Sequence, residues 1–147
     1  MKHFFSGAVF VIILFSINVN AQADHKWKPL IVNDIKKIWY DKTNIDSIKG
    51  DRFEIWLLQM HIPPVNINGS SAKAFRTMTL YAVDLSTVKY GIEEITYLDE
   101  NAKEICSYNY MIRDYEDNLK YTYPVMENSA IHLVIKELFK NSSEQKK

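Results

Sequence analysis

Little in this sequence announces specialised chemistry. A single cysteine among 147 residues rules out an internal disulfide, so stability has to come from packing. Glycine totals four, and none of the four builds a phosphate-cradling loop. The 18 basic and 18 acidic side chains balance, which points away from nucleic acid and from an electrostatic membrane surface. His3, His25, His61 and His132 are the only histidines, and none has a second ligand at metal spacing. Glu93 and Glu94 are adjacent on a predicted strand, so they face opposite ways and make no catalytic pair with each other. Serine occurs without a nucleophile-elbow context. The expectation is a protein that is not an enzyme and needs no cofactor or metal.

No apolar run reaches the ~20 residues of a membrane-spanning helix. The longest, Ala8 to Ile17, is broken by Ser16, follows Lys2 and precedes Ala21-Gln22-Ala23. That order of charged end, apolar core and small-residue site predicts a secretory signal peptide over residues 1–23, with cleavage after Ala23 or Ala21. No cysteine stands near the cut to accept a lipoprotein anchor. Residues 24–147 then form one domain.

What the chain does have is strand signal. Phe75 to Tyr110 reads as three β-rich runs separated by turns at Asp84–Ser86 and at Asp99–Ala102, an antiparallel meander. Trp27–Val32 and Ile35–Tyr40 read as a hairpin turning at Asn33-Asp34, with Pro29 tolerable only near a sheet edge. Arg52–His61 is the most apolar run, with large side chains at both odd and even positions, and Ile62–Ala72 reads as a long loop. Trp56, in the middle of that run, is an expected core residue. The apolar phase slips by one residue at Glu93-Glu94, as a β-bulge would produce. Cys106 sits mid-strand and reads as a small buried hydrophobe. Near the C-terminus, Ile131, Val134, Ile135, Leu138 and Phe139 recur at helical spacing behind an N-cap at Asn128 or Ser129, predicting a helix through about Phe139. The sum is an α+β fold: a curved antiparallel sheet of about six strands, a half-barrel, with one C-terminal α-helix packed on one face.

Tyr108, Tyr110, Tyr115, Tyr121 and Tyr123 crowd the stretch between the last long strand and that helix. Aromatics with a polar tip favour interfaces, so these five are the candidate protein-binding residues, although two or three of them would also serve to cover the helix–sheet junction.

Several short elements together resemble the surface-adhesin protein E-like family of Gram-negative bacteria. They are Trp27; Trp39-Tyr40-Asp41 followed by Ile45; Gly50 with Phe53-Glu54-Ile55-Trp56; and Leu80-Tyr81-Ala82-Val83-Asp84. Tyr90-Gly91-Ile92, Tyr97-Leu98-Asp99, Lys103, and Pro124 with Asn128-Ser129 ahead of the helix continue the series. The resemblance spans nearly all of residues 24–147. It implies the same six-stranded curved sheet and terminal helix, and an adhesin that binds host proteins such as vitronectin, laminin and plasminogen and can dimerise. Family members often carry a cysteine directly after the aspartate of the fourth element and another at the helix end; here those places hold Leu85 and Phe139-Lys140-Asn141. The expected function is therefore a secreted or envelope-associated binding protein, periplasmic, outer-membrane-associated or extracellular, acting by protein–protein contact. A periplasmic accessory or structural subunit is the alternative. The expected partner is a protein ligand, with no nucleic acid. Because one helix cannot cover both apolar faces of the sheet, either the sheet curls onto its second face or a partner covers it, and partial curling together with a homodimer is expected.

Overall fold

A computed structural model describes residues 25–43, 48, 50–69, 71–111 and 117–144. The predicted leader, residues 1–23, lies outside them, as do Ile45 and Tyr115. Strands β1 (Trp27–Val32), β2 (Lys37–Asp41), β3 (Arg52–Asn66), β4 (Lys73–Asp84), β5 (Lys89–Leu98) and β6 (Glu104–Asn109) lie side by side in chain order. Every neighbouring pair is antiparallel, and a two-residue β7 (Tyr123–Pro124) adds to β5. A short helix α1 (Asp117–Lys120) precedes β7, and α2 (Ala130–Glu144) ends the described chain. The sheet is curved and unclosed, with the C-terminal helix across one face, which is the predicted half-barrel.

Its curvature has identifiable causes. The ladder is interrupted between Pro29 and Ile31, between Met60 and Val65, between Leu80 and Tyr81, and between Tyr97 and Leu98. Such irregularities bend a strand and increase its twist. The third falls opposite Ile92 and Glu94 and leaves Glu93 as the extra residue, which is the phase slip read from the sequence.

One boundary differs from expectation. Ile62–Asn66 is strand, not loop, because β3 continues to Asn66 and re-pairs at Val65 with Ala74. Pro63 and Pro64 fall inside the ladder interruption, where no partner calls for the N–H they lack. Pro29, as expected, lies on an edge strand.

Register sorts the side chains into two faces. Rows Phe53–Val83–Tyr90, Ile55–Tyr81–Ile92 and Leu57–Thr79–Ile95 share one face. There they meet α2, whose Ile131 and Val134 complete a buried cluster with Ile38, Tyr40, Phe53, Ile55, Leu57 and Val83. Val83 and Val134 are fully buried, each contributing at most ~1.5–3 kcal/mol of transfer free energy. The helix is capped as predicted: the His132 N–H donates to Ser129 Oγ at 3.2 Å, and the Asn128 N–H donates back to His132 Nδ1 at 2.8 Å. An ion pair from Lys28 Nζ to Glu137 Oε1 at 2.8 Å ties α2 to β1.

The far face carries the rows Arg52–Asp84, Glu54–Ala82–Gly91 and Trp56–Leu80–Glu94. After β6 the chain crosses this face through α1, pairs briefly with the β5 edge as β7, and then passes to the other face as α2. The crossing is close: a Cβ at Gly91 would lie 1.9 Å from the Lys120 carbonyl oxygen. Only glycine leaves room for backbone there. Trp56, expected in the core, is half-buried on this far face, where the His25 ring stands edge-on to it at 5.5 Å. Cys106 is half-buried on β6.

Two aspartates seal strand ends. Asp41 Oδ1 accepts the Lys26 and Thr43 N–H groups at 3.0 and 2.8 Å, and Oδ2 accepts from His25 Nδ1 at 2.7 Å. Burial alone would raise the Asp41 pKa, but these hydrogen bonds outweigh it and hold the carboxyl below its usual range. Asp84, 1% exposed, accepts the Ser86 and Thr87 N–H groups and Arg52 Nε at 3.0 Å; the Ser86 hydroxyl leads the contacts that hold its pKa down.

Candidate functional site

Two features stand out, and both lie at the β5–β6 end of the sheet. The first is the β6 edge. β6 pairs with β5 on one side and with no described strand on the other. Its two faces differ sharply. On the far face Thr96 and Ser107 hydroxyls meet at 3.0 Å, and Asn109 Nδ2 donates to Glu94 Oε2 at 3.2 Å, a polar ladder. On the helix face the row Leu57–Thr79–Ile95 ends in Tyr108, and Tyr97 stands beside it with ring centroids 6.3 Å apart in a T-shaped pair. Tyr110 follows just past the strand, its N–H donating to the Glu93 carbonyl at 2.7 Å. Tyr108 and Tyr110 are 47% and 43% exposed. The end of β3 lies across from them, so that Val65 and Ile67 face the tyrosines over a groove of about 330 Å³. The groove continues toward α2 past His61 and Thr77, whose side chains hydrogen-bond at 2.6 Å. Burial pushes the His61 pKa down, favouring the neutral ring.

The second feature is a pocket of about 680 Å³ at the adjacent β5 edge, in the gap between the end of β6 and the start of β7. The bulge at Glu93 builds it. Glu93 is 5% exposed; its Oε1 receives the Lys120 ammonium at 2.5 Å, while its Oε2 accepts no hydrogen bond from any described residue. Glu54 reaches the same pocket from β3 over the small residues Ala82 and Gly91. Burial, and next the neighbouring Glu93 charge, raise the Glu54 pKa. Burial alone would lower the Lys120 pKa, but its bond to Glu93 prevails and the net direction is upward. Tyr110 and Tyr123 form aromatic walls, Tyr123 stacking on Tyr90 at 5.5 Å, and Tyr110 borders both pocket and groove.

The five candidate tyrosines therefore divide. Tyr108 and Tyr110 come together in the groove, and Tyr123 lines the pocket. Tyr115 lies outside the described residues. Tyr121 is turned inward, 9% exposed, with the Arg52 guanidinium 5.1 Å over its ring, so it covers the sheet and presents no surface. Sequence reasoning missed Tyr97, Val65 and Ile67 in the groove, and Glu54, Glu93 and Lys120 in the pocket. The predicted bulge and Gly91 were the available signals for the pocket, since one turns Glu93 and the other admits Lys120. No group of three or more His, Cys, Asp or Glu side chains suited to a metal occurs among the described residues.

No family model matches the chain, and neither a curated protein nor a solved structure does.

Proposed function

We propose that this chain is an exported binding module that acts by protein–protein contact, as its resemblance to the surface-adhesin protein E-like family implies. The observation that carries the reading is the β6 edge, along which no described strand pairs on the outer side, with exposed tyrosines on one face. An unpaired strand offers main-chain donors and acceptors to an extended segment of a partner, and side-chain pockets beside it supply selectivity. Tyr97, Tyr108 and Tyr110 give rigid contact area at low entropic cost, and the polar ladder on the opposite face keeps the edge soluble. A second copy can use the same edge, pairing β6 with β6 in an isologous dimer.

A peptide-display library panned on the mature protein tests this. Peptides are expected to enrich and to lose at least tenfold in affinity against Tyr108→Ala and Tyr110→Ala, with melting temperature unchanged. No enrichment, or enrichment indifferent to both substitutions, sinks the reading. Sedimentation at micromolar concentration identifies the self-paired dimer, and surface labelling of intact cells distinguishes an exposed adhesin from a periplasmic subunit.

A further inference from the structure

The pocket behind Tyr110 holds two carboxylates and one ammonium. Lys120 satisfies one oxygen of Glu93 and leaves Oε2, in a side chain 7% exposed, with no hydrogen bond. A buried carboxylate oxygen without a donor is costly, and native proteins rarely leave one. Something positively charged or protonated belongs beside it. A proton on Glu54, whose pKa is raised first by burial and next by the Glu93 charge, answers the need in part. The space answers it differently. At about 680 Å³ the pocket lies within the roughly 300–1,000 Å³ range of small-ligand sites, far more than a proton requires. The Lys120 ammonium already sits on Glu93 of this carboxylate pair, and no group of three or more His, Cys, Asp or Glu side chains suited to a metal occurs among the described residues. Apart from Thr122, whose hydroxyl donates to the Leu119 carbonyl at 2.7 Å, the remaining walls are apolar or aromatic: Ile92, Ile95, Met111 and Leu119 with Tyr110 and Tyr123. Carboxylates at one end and aromatic faces along the sides favour a cation on an aliphatic stem.

We propose that this pocket binds an organic monocation, a primary ammonium or guanidinium on an aliphatic stem, with Glu93 Oε2 and the Glu54 carboxylate as acceptors and Tyr110 and Tyr123 flanking the stem. The site stands on its own geometry and does not depend on what pairs with β6. The ligand is either a free amine or the Lys or Arg side chain of a polypeptide, since the terminal chemistry is the same.

The test titrates the mature protein with butylamine, with N-acetyl-arginine amide, and with butanol and butyrate as neutral and anionic controls, followed by calorimetry and by the amide resonances of Gly91 and Tyr123. Saturable binding of a cation and none of either control is expected. Butylamine alone marks a free amine as ligand; blocked arginine at equal or greater affinity marks a polypeptide side chain. Glu54→Gln, at an exposed position that tolerates the change, is expected to weaken binding at least tenfold with the fold intact. Lys120→Met, which removes the resident cation, is expected to strengthen it. The titratable groups around the cation are Glu54 on β3, Glu93 on β5, Lys120 on α1, and Tyr110 and Tyr123; Arg52 and Asp84 pair with each other in the next row at 3.0 Å. Affinity is thus expected to fall on acidification, as a proton takes the ligand's place on Glu54. Absence of saturable binding, or affinity unchanged in Glu54→Gln, overturns the proposal.

Discussion

Substituting Gly91 by alanine isolates the contact on which the far-face crossing depends. The added methyl would sit 1.9 Å from the Lys120 carbonyl oxygen and 3.0 Å from its carbon, and both are backbone atoms that cannot swing aside. Gly91 in β5 pairs with Ala82 of β4 in the regular ladder, so the strand itself accepts alanine and the penalty is steric alone. Forced overpacking costs about 1–3 kcal/mol where the structure yields. If α1 lifts away instead, Tyr121 loses its cover, a burial worth roughly 1.5–3 kcal/mol. The expected loss by either route is therefore about 1–3 kcal/mol, a midpoint shift of roughly 0.5–1.5 M urea at a slope near 2 kcal/mol/M. Urea unfolding followed by tryptophan fluorescence measures it. Gly50→Ala is the matched control, because nothing lies within 4 Å of its added Cβ and only its φ of +80° is unfavourable, for a loss of about 1–2 kcal/mol. A Gly91→Ala protein within about 0.5 kcal/mol of the parent would refute the close approach and with it the placement of Lys120 against Glu93.

Further outcomes follow from the same geometry. Trp56→Ala is expected to cost about 2 kcal/mol in urea unfolding, below the ~3–5 kcal/mol of a fully buried tryptophan, because its ring is only half-buried. Cys106→Ser is expected to change stability by no more than about 0.5 kcal/mol, since the thiol is half-buried on an edge strand; a larger loss would show that it packs as core. Asp41 and Asp84 have depressed folded-state pKa values, so the stability they contribute is complete above about pH 4 and is lost as pH falls through those lower values. Acid melting curves of Asp41→Asn are expected to be flatter than those of the parent below about pH 4. Glu54 has the opposite sign. Its pKa is raised, so its contribution is complete below its unfolded pKa and is lost as pH rises through the folded one; Glu54→Gln is expected to stabilise at pH 7 by less than about 1 kcal/mol and to lose that gain toward pH 4.

Much of this architecture is local and therefore legible from sequence. Alternation over Phe53–Leu57 and helical spacing over Ile131–Phe139 each describe one element burying one stripe, and both stripes meet in the core. Asp41 and Asp84, which close two of the elements that carry the family resemblance, accept hydrogen bonds from residues two positions on, a signal confined to a few residues. The end of β3 was hidden because Pro63 and Pro64 are loop residues by any local rule; only the pairing of Val65 with Ala74 makes the segment strand. The Glu54–Glu93 pair was hidden more deeply. Strict alternation would set Glu93 and Glu94 on opposite faces, but the bulge breaks it and turns Glu93 toward Glu54, a carboxylate two strands away that reaches it over the small residues Ala82 and Gly91.

The same crossing explains why β3 and β4 are apolar on both faces although a single long helix is present. At the Glu54 end the far face is covered by α1 and Tyr121, which reach it only where Gly91 lets backbone pass. Farther along, Leu80, Thr96 and Leu98 are buried on that face with no described helix over them, and Trp39, Trp56, Leu58 and Met78 around them are half-buried. A flat sheet would leave all of these open to water. The four ladder interruptions bend this one so that neighbouring side chains shield each other. The bulge that contributes to this curling is also the one that turns Glu93 into the pocket beside Tyr110. Curvature, burial of the second face and the carboxylate pocket therefore meet at the extra residue Glu93, one of the four interruptions and the one that builds the pocket. Deleting it would be expected to disturb all three together.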